Sequence, residues 1–185
     1  MTIPFPKGYL VFIRRKKPQH VLHTIMKSHF GLELAIICLL ISANGVFAMA
    51  EMAIISARKS RLRRWARDGD KRAQIALDLA ASPNRFLSTV QFGITLIGIL
   101  AGAFGGATIA RTVSGWVAMA PALTEHADQI GFGMVVVFIT LASLIFGEIL
   151  PKRLALARGE RIASTLAPSM HRLSMIASPF VGFVG

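Results

Sequence analysis

Three long apolar runs dominate the pattern of hydrophobic and polar positions along this chain. They cover residues 30–56, 86–110 and 130–150, and the first is interrupted by Glu33 and Glu51. A helix needs about 20 predominantly apolar residues to cross the hydrocarbon core of a bilayer. Each run reaches that length. The pattern therefore predicts an all-α membrane protein with three transmembrane helices.

Shorter amphipathic segments connect these runs. Apolar residues at helical spacing on both sides of Gly69 predict two short helices at the membrane surface, separated by a turn. Ser82 and Pro83 predict the start of the second spanning helix, with Ser82 as the N-cap and Pro83 at the first helical position. After Pro151 the pattern becomes amphipathic again. It predicts a juxtamembrane helix that is broken near Pro168.

The first 29 residues differ from the rest of the chain because they are basic and contain only one short apolar patch, at residues 9–13. The patch is too short to span, and the segment lacks the order of a cleavable signal peptide. We expect residues 1–29 to form a basic tail or an interfacial helix. Residues 30–185 are then expected to form a single transmembrane domain.

The composition agrees with a membrane location. Of the 185 residues, 54% are hydrophobic and 16% are charged, whereas soluble domains carry roughly 25% charged residues. The net charge of +12 raises the possibility of nucleic-acid binding, but the basic residues cluster beside the apolar runs rather than in a separate folded module. We therefore expect contacts with anionic membrane lipids and no nucleic-acid partner.

The distribution of lysine and arginine predicts an orientation. With three spans, segments 57–85 and 151–172 lie on one face and hold nine and five basic residues; segments 1–29 and 111–129 lie on the other and hold six and one. Basic residues are enriched on the cytoplasmic side. The first face therefore holds fourteen basic residues and the second seven. This difference predicts a multi-pass protein of the cell (inner) membrane, with its N-terminus outside and its C-terminus in the cytoplasm. Segment 111–129 is predicted to be a loop.

Glu148 provides the strongest functional signal. It lies near the inner end of the third run, where a carboxylate is expensive to bury and by default marks an ion or proton site. Pro151 has no N–H to donate to the Gly147 carbonyl, which is therefore freed. Lys152 and Arg153 follow. This oxygen cluster suits a hard cation such as Mg²⁺, and the alternative is a helix end whose glutamate pairs with a nearby lysine or arginine.

Further polar residues lie within the first two runs. Each one taken alone could serve only helix packing or bond back to its own helix. As a set, two carboxylates, two carboxamides and a freed carbonyl are distributed over all three predicted spans, which favours a common site. The predicted cation ligands are Glu148, Gly147, Asn44, Glu51, Thr95, Gln91 and Ser42.

Three glycines in the second run share one helical face. Gly98, Gly102 and Gly106 are four residues apart, a spacing typical of closely packed membrane helices. We expect this stripe to pack against another helix, within the protomer or across a dimer. The chain has no motif of a metalloprotease, hydrolase or nucleotide-binding enzyme, and we expect no catalytic activity.

Three ordered motifs resemble a known family. They are NGVFAMAEMAIIS at residues 44–56, FLSTVQFGIT at 86–95 and FGEILPK at 146–152, and they resemble the transmembrane domain of the CorC/cyclin M (CNNM) family, also described as hemolysin C-like. The resemblance implies three spanning helices, short cytoplasmic-side helices, a homodimer, and magnesium export with sodium influx as a driving force. Family members usually continue into paired cystathionine-β-synthase-type nucleotide-binding domains. This chain stops before them, so we expect it to be a fragment of a longer protein.

The resemblance also assigns roles to residues. The Gly-Glu-x-x-Pro-Lys element at residues 147–152 is intact, and its glutamate would bind the ion. Many members have serines where this chain has Ala48 and Ala50, and asparagines where it reads Ile94, Thr95 and Gly98. The other polar residues of the first two runs remain as substitutes. The combined prediction is a dimeric exporter domain for Mg²⁺; the alternative is a membrane-embedded regulatory or scaffold protein without its own ion path.

Overall fold

Helices make up the regular structure of the part of the chain that the computed structural model describes, namely residues 19–181, with side chains described for residues 30–106 and 108–176. Residues 1–18 of the predicted tail lie outside the described range. Residues 19–29, the rest of the predicted tail, are helical and form the N-terminal part of α1. The helices are α1 (Gln19–Ser56), α2 (Lys59–Arg67), α3 (Lys71–Ala81), α4 (Pro83–Phe104), α5 (Ala110–Val117), α6 (Ala127–Leu144), α7 (Leu150–Ala157) and α8 (Gly159–Val181).

Three helical segments are long and apolar enough to cross a membrane: Phe30–Ser56, Pro83–Phe104 and Pro121–Ala157. The prediction of three spans is therefore confirmed. In the most apolar stretch of each segment, only 22%, 22% and 17% of the residues are buried within the protomer. The remaining apolar surface faces outward, as expected for helices surrounded by lipid or by another membrane helix.

Two π-helical turns extend the second and third spanning helices. Gly105–Ile109 joins α4 to α5, and Ile145–Ile149 joins α6 to α7. The predicted loop at 111–129 is consequently wrong over its first part, which is α5. Tertiary packing explains the difference: Ser114 is buried, and a Cβ atom on Gly131 of α6 would lie 2.7 Å from the Ser114 backbone nitrogen. This close approach stabilises a helix where the sequence looks like a loop.

The two predicted surface helices are confirmed as α2 and α3. Gly69 between them has a φ of +96°, a left-handed conformation that glycine adopts without steric cost. Asp70 caps α3 by accepting hydrogen bonds from the backbone nitrogens of Arg72 and Ala73, at 2.8 and 3.3 Å. Ser82 occupies the predicted N-cap position of α4, but its side chain makes no capping hydrogen bond.

The last helix, α8, continues through Pro168, so the predicted break there is wrong. An internal proline costs a helix about 3 kcal/mol. Here the neighbouring residues Ala167 and Met170 are buried in a core that α8 shares with α1, α3 and α4. Burial on both sides of Pro168 offsets the local cost. The chain changes direction at Arg158 instead, where φ is −140° and ψ is 40°.

The larger of two hydrophobic cores lies where α2, α3 and α8 meet the C-terminal part of α1 and the N-terminal part of α4. We call this region the packed end. It contains the largest fully buried side chains of the described residues, Leu62, Phe86 and Val90. A smaller core, which includes Ile37, Ile109 and Val135, lies further toward the N-terminal part of α1. Two of the predicted ligand residues of α1, Ser42 and Asn44, lie between these two cores along the helix, whereas Glu51 follows Ala50 of the packed end.

Candidate functional site

The candidate site forms where α1 crosses the π-helical turn at Ile145–Ile149. A Cβ atom on Gly45 would lie 3.0 Å from the Phe146 carbonyl oxygen and 3.0 Å from Cγ of Pro151. A Cβ atom on Gly147 would lie 3.0 Å from Nδ2 of Asn44. Small residues on both sides therefore let the two backbones come close, and this places the end of the Asn44 side chain against the Gly147 peptide.

Asn44 binds the carbonyl that the sequence predicted to be freed by Pro151. Its Nδ2 donates a hydrogen bond of 3.1 Å to the Gly147 carbonyl oxygen. This bond also fixes the orientation of the amide, because the flipped amide would place two acceptors together. The other atom, Oδ1, is buried and has no partner among the described residues. A buried acceptor without a partner costs about 1–3 kcal/mol, so this oxygen favours a donor or a cation beside it.

Glu148 is paired with a lysine, as the alternative interpretation expected. Nζ of Lys152 lies 2.7 Å from Oε1 of Glu148, one helical turn away, and 3.9 Å from Oε2 of Glu51 on α1. The side chains of Glu148, Lys152 and Glu51 are 49%, 29% and 22% exposed. The site thus holds two carboxylates and one ammonium group, and Glu148 is the most accessible of the three.

A cavity of about 340 Å³ opens beside this cluster. Its wall combines one carboxylate, one carboxamide and two hydroxyl groups with several small or apolar residues. The lining consists of Asn44, Gly98, Ala101, Gly102, Gly106, Val136, Ile139, Thr140, Ser143, Leu144 and Glu148. We call these residues the cavity region. The cavity offers oxygen ligands at one place and an apolar wall elsewhere.

The glycine stripe of α4 contributes to this cavity. A Cβ atom on Gly98 or on Gly102 would meet no atom within 4 Å, whereas one on Gly106 would lie 3.1 Å from the Phe132 ring. Within the described protomer, the predicted packing against another helix is therefore wrong for Gly98 and Gly102 and holds only for Gly106. Packing across a dimer stays a prediction.

The structure does not bring all the predicted ligands together. The Ser42 hydroxyl is exposed and donates to the Cys38 carbonyl oxygen at 2.7 Å, which is the self-bonding alternative that serines offer. Gln91 and Thr95 are exposed and do not line the cavity. Glu51 also lies outside the cavity wall and reaches Glu148 only through Lys152. Asn44, Gly147 and Glu148 form the common part of the site.

Two features of the site were not assigned from the sequence. One is the bridging position of Lys152, and the other is the pair of hydroxyls at Thr140 and Ser143 on the cavity wall. The sequence signal for the two hydroxyls was their spacing along the third span: Ser143 follows Thr140 by three residues, and Gly147 follows Ser143 by four. Among the described residues, no three His, Cys, Asp or Glu side chains converge to hold a metal ion. A metal here would keep much of its water shell.

The chain is similar to proteins from several bacteria. The UPF0053 protein sll0260 of Synechocystis is 45% identical over 161 residues, which cover 87% of this chain and 36% of that relative. The polyamine export protein of Haemophilus influenzae is 29% identical over 159 residues, which cover 81% of this chain and 34% of that protein. The chain thus spans about a third of the length of these relatives.

The family comparison covers nearly the whole described domain. The model of the cyclin M transmembrane N-terminal domain (CNNM) matches residues 35–185. This range contains the three motifs on which the resemblance rests, most of the first spanning segment, the whole of the other two, and the site at Asn44, Gly147 and Glu148. The chain therefore belongs to the CNNM transmembrane domain family.

Proposed function

We propose that this membrane domain exports Mg²⁺ through the cavity beside Glu148. One observation carries the proposal: the Glu148 carboxylate and the Asn44 carboxamide share a cavity wall, and the Asn44 oxygen is buried without a partner among the described residues. Carboxylate and amide oxygens are the ligands of hard cations. A carboxylate within a membrane span is costly, and function is its default explanation.

The size of the site suits an ion that keeps part of its water shell. Mg²⁺ gives up water reluctantly and is commonly held by only one or two carboxylates. The cavity of about 340 Å³ is about ten times the volume of a water molecule in the liquid, roughly 30 Å³. Hydroxyls of Thr140 and Ser143 are available to bind such waters. Binding of the ion through water molecules does not require the serines that many family members have at the positions of Ala48 and Ala50.

The proposed ligands are fewer than those predicted from the sequence. Glu148 supplies the charge, Asn44 the amide oxygen, and Gly147 a carbonyl whose second lone pair stays available after the bond from Asn44. We do not propose Ser42, Gln91 and Thr95 as ligands, because they lie outside the cavity wall, whereas Gly147 is joined to the wall residue Asn44 by a hydrogen bond.

A second candidate cargo is a polyamine. Two relatives, from Haemophilus influenzae and Escherichia coli, bear the name polyamine export protein. The cavity wall supports this candidate because Val136, Ile139 and Leu144 would contact the methylene groups of a polyamine while Glu148 pairs with an ammonium group. Both candidates use the same carboxylate, and they differ in their need for the apolar wall.

Flux measurements in proteoliposomes test the proposal. Vesicles containing the wild-type chain or the Glu148→Gln variant are loaded with a magnesium-sensitive dye, and parallel vesicles receive radiolabelled spermidine. We expect Mg²⁺ flux above that of empty vesicles for the wild type, faster flux with an opposing sodium gradient, and none for Glu148→Gln. Spermidine flux without Mg²⁺ flux would select the second candidate. Absence of both fluxes would favour the regulatory or scaffold alternative.

The orientation and assembly are part of the proposal. An N-terminus outside and a C-terminus in the cytoplasm follow from the excess of basic residues in segments 57–85 and 151–172. Labelling of single cysteines introduced at Asp68 and Glu125, both exposed, in a Cys38→Ala background and in intact cells, checks this orientation. A homodimer follows from the family resemblance, and light scattering of the purified protein in detergent measures its mass.

A further inference from the structure

Lys152 forms an ion pair with the carboxylate to which the proposed cargo would bind. Its Nζ donates a hydrogen bond of 2.7 Å to Oε1 of Glu148, and Glu148 is the only carboxylate among the residues that line the cavity. A second carboxylate, Glu51 of α1, lies 3.9 Å from the same nitrogen. In this structure the protein's own ammonium group lies between two anionic partners, one on the cavity wall and one behind it.

The geometry allows the ammonium group to change partner without moving the backbone. Lys152 and Glu148 are one helical turn apart on the same face, while Glu51 comes from α1. A lysine side chain has a flexible four-carbon stem and a compact charge with three donors. A shift of the ammonium group toward Glu51 breaks the bond to Glu148 and leaves the lysine paired.

The cargo cation and the Lys152 ammonium group compete for the Glu148 carboxylate because both are positively charged. Two positive charges a few ångströms apart repel each other strongly wherever water is partly excluded. A cargo cation on Glu148 therefore disfavours an ammonium group at 2.7 Å on the same carboxylate. At equal distance a divalent cation is attracted by the carboxylate, and repelled by the ammonium group, about twice as strongly as a monovalent one, so the ammonium group lowers the affinity for either ion.

We propose that Lys152 sets the affinity of the site: its ammonium group neutralises Glu148 when the site is empty and transfers to Glu51 when the cation binds. This inference rests on the proposed role of Glu148 as the cargo ligand. Lys152 lowers the affinity of the site for cations. Glu51 acts as the alternative partner of the lysine rather than as a cation ligand.

Titration calorimetry with MgCl₂ at constant ionic strength tests this inference on the full chain in detergent. Lys152→Gln removes the competing charge, and Arg153→Gln is the matched control, since Arg153 is the exposed neighbouring cation and has no ion pair among the described residues. We expect Lys152→Gln to bind Mg²⁺ about three to ten times more tightly than the wild type, the range for a partly screened charge. Arg153→Gln should remain within about twofold.

The role of Glu51 is tested by a double mutant. Glu51→Gln alone should weaken Mg²⁺ binding, because Lys152 then has no other partner and stays on Glu148. In the Lys152→Gln background the same Glu51→Gln change should have no effect, since the lysine is gone. If Glu51→Gln weakens binding equally in both backgrounds, Glu51 is itself a ligand and the inference is wrong.

Competition by a second cation and folding supply the remaining controls. Because the ammonium group lowers the affinity for any cation, competition by NaCl for the Mg²⁺ site should increase in Lys152→Gln, and unchanged competition would contradict the role of Lys152. If Lys152→Gln does not fold, judged by its melting temperature, Lys152→Met serves as a second neutral variant. Weaker or unchanged Mg²⁺ binding in a folded neutral variant overturns the role of Lys152. Unchanged binding in Glu148→Gln would instead overturn the proposed function.

Discussion

The packed end and the cavity region use small residues in opposite ways. At the packed end, Ala73 and Ala76 of α3 and Ala163 of α8 are fully buried, so their small side chains let the helices pack closely. In the cavity region, Gly98 and Gly102 also remove side-chain bulk, but no atom of the described protomer fills the space. A stripe of small residues thus indicates a possible close approach, and the neighbouring helix decides whether the result is a core or a cavity.

The two regions also differ in their ion pairs. The packed end has an ion pair at its edge, between Arg61 and Glu160 at 3.6 Å. The site beside the cavity region joins Glu148, Lys152 and Glu51 across two helices. Exposed ion pairs add little to stability, about 0–1 kcal/mol. We therefore expect the packed end to provide most of the stability and the site beside the cavity to provide the function.

The largest expected effect is a loss of stability at the packed end. Phe86 is 2% exposed, and Phe86→Ala should lower the free energy of unfolding by about 3–5 kcal/mol, the range for deleting a buried aromatic ring. Phe138→Ala is the matched control, since Phe138 is 69% exposed and surface changes stay within about 0.5 kcal/mol. Melting temperatures in detergent measure both. Equal shifts would show that the packed end is not the main core.

Two glycine variants compare a position in close contact with a neighbouring helix and a position that faces the cavity. Gly45→Ala places a methyl group 3.0 Å from the Phe146 carbonyl oxygen and the Pro151 ring, and overpacking of this kind costs about 1–3 kcal/mol. Gly102→Ala meets nothing within 4 Å and should stabilise the helix by up to about 1 kcal/mol through its better helix propensity. The two melting temperatures should shift in opposite directions. Destabilisation by Gly102→Ala would show that a second protomer closes the cavity.

A change at Asn44 separates function from stability. Asn44→Ala removes the hydrogen bond to the Gly147 carbonyl oxygen and should lower stability by about 1 kcal/mol. It should weaken Mg²⁺ binding by about tenfold, since a contact to a charged group contributes about 1.5–3 kcal/mol. Ser42→Ala, which removes a hydroxyl that bonds its own helix, should change neither quantity. Calorimetry on both variants checks this, and equal binding would exclude Asn44 as a ligand.

The smallest change in stability is expected for Pro151→Ala. The new N–H would compete with Asn44 for the Gly147 carbonyl oxygen and weaken the arrangement at the π-helical turn. We expect reduced Mg²⁺ flux in proteoliposomes and a small net change in stability, because the loss of buried ring atoms at Pro151 opposes the better helix propensity of alanine. Wild-type flux in this variant would mean that Pro151 shapes the helix without affecting the site.

The sequence predicted the architecture well because membrane spans and surface helices have strong local signals. Hydropathy identified three spans, and helical spacing around Gly69 identified α2 and α3. The errors came from tertiary packing, which local patterns do not contain. Burial of Ala167 and Met170 keeps α8 helical through Pro168, and contact with Gly131 keeps the segment after Ala110 helical.

The site was predicted only in part. Glu148, Gly147 and Asn44 could be named because a costly carboxylate, a proline and an amide all leave visible signals in an apolar run. Whether a polar side chain faces the cavity depends on how each helix is rotated, and this separates Asn44 from Ser42, Gln91 and Thr95. The contact of Lys152 with Glu51 joins α7 and α1, which are far apart in the sequence. A local sequence pattern therefore does not reveal it.

The central claim is that Glu148 binds the transported cation, and its most direct test is titration of MgCl₂ into the purified wild-type chain and the Glu148→Gln variant. The substitution keeps the shape of the side chain and removes one negative charge. The account predicts saturable Mg²⁺ binding to the wild type, and loss of that binding in the variant at an unchanged melting temperature. Equal affinity of the two proteins for Mg²⁺ would contradict the account.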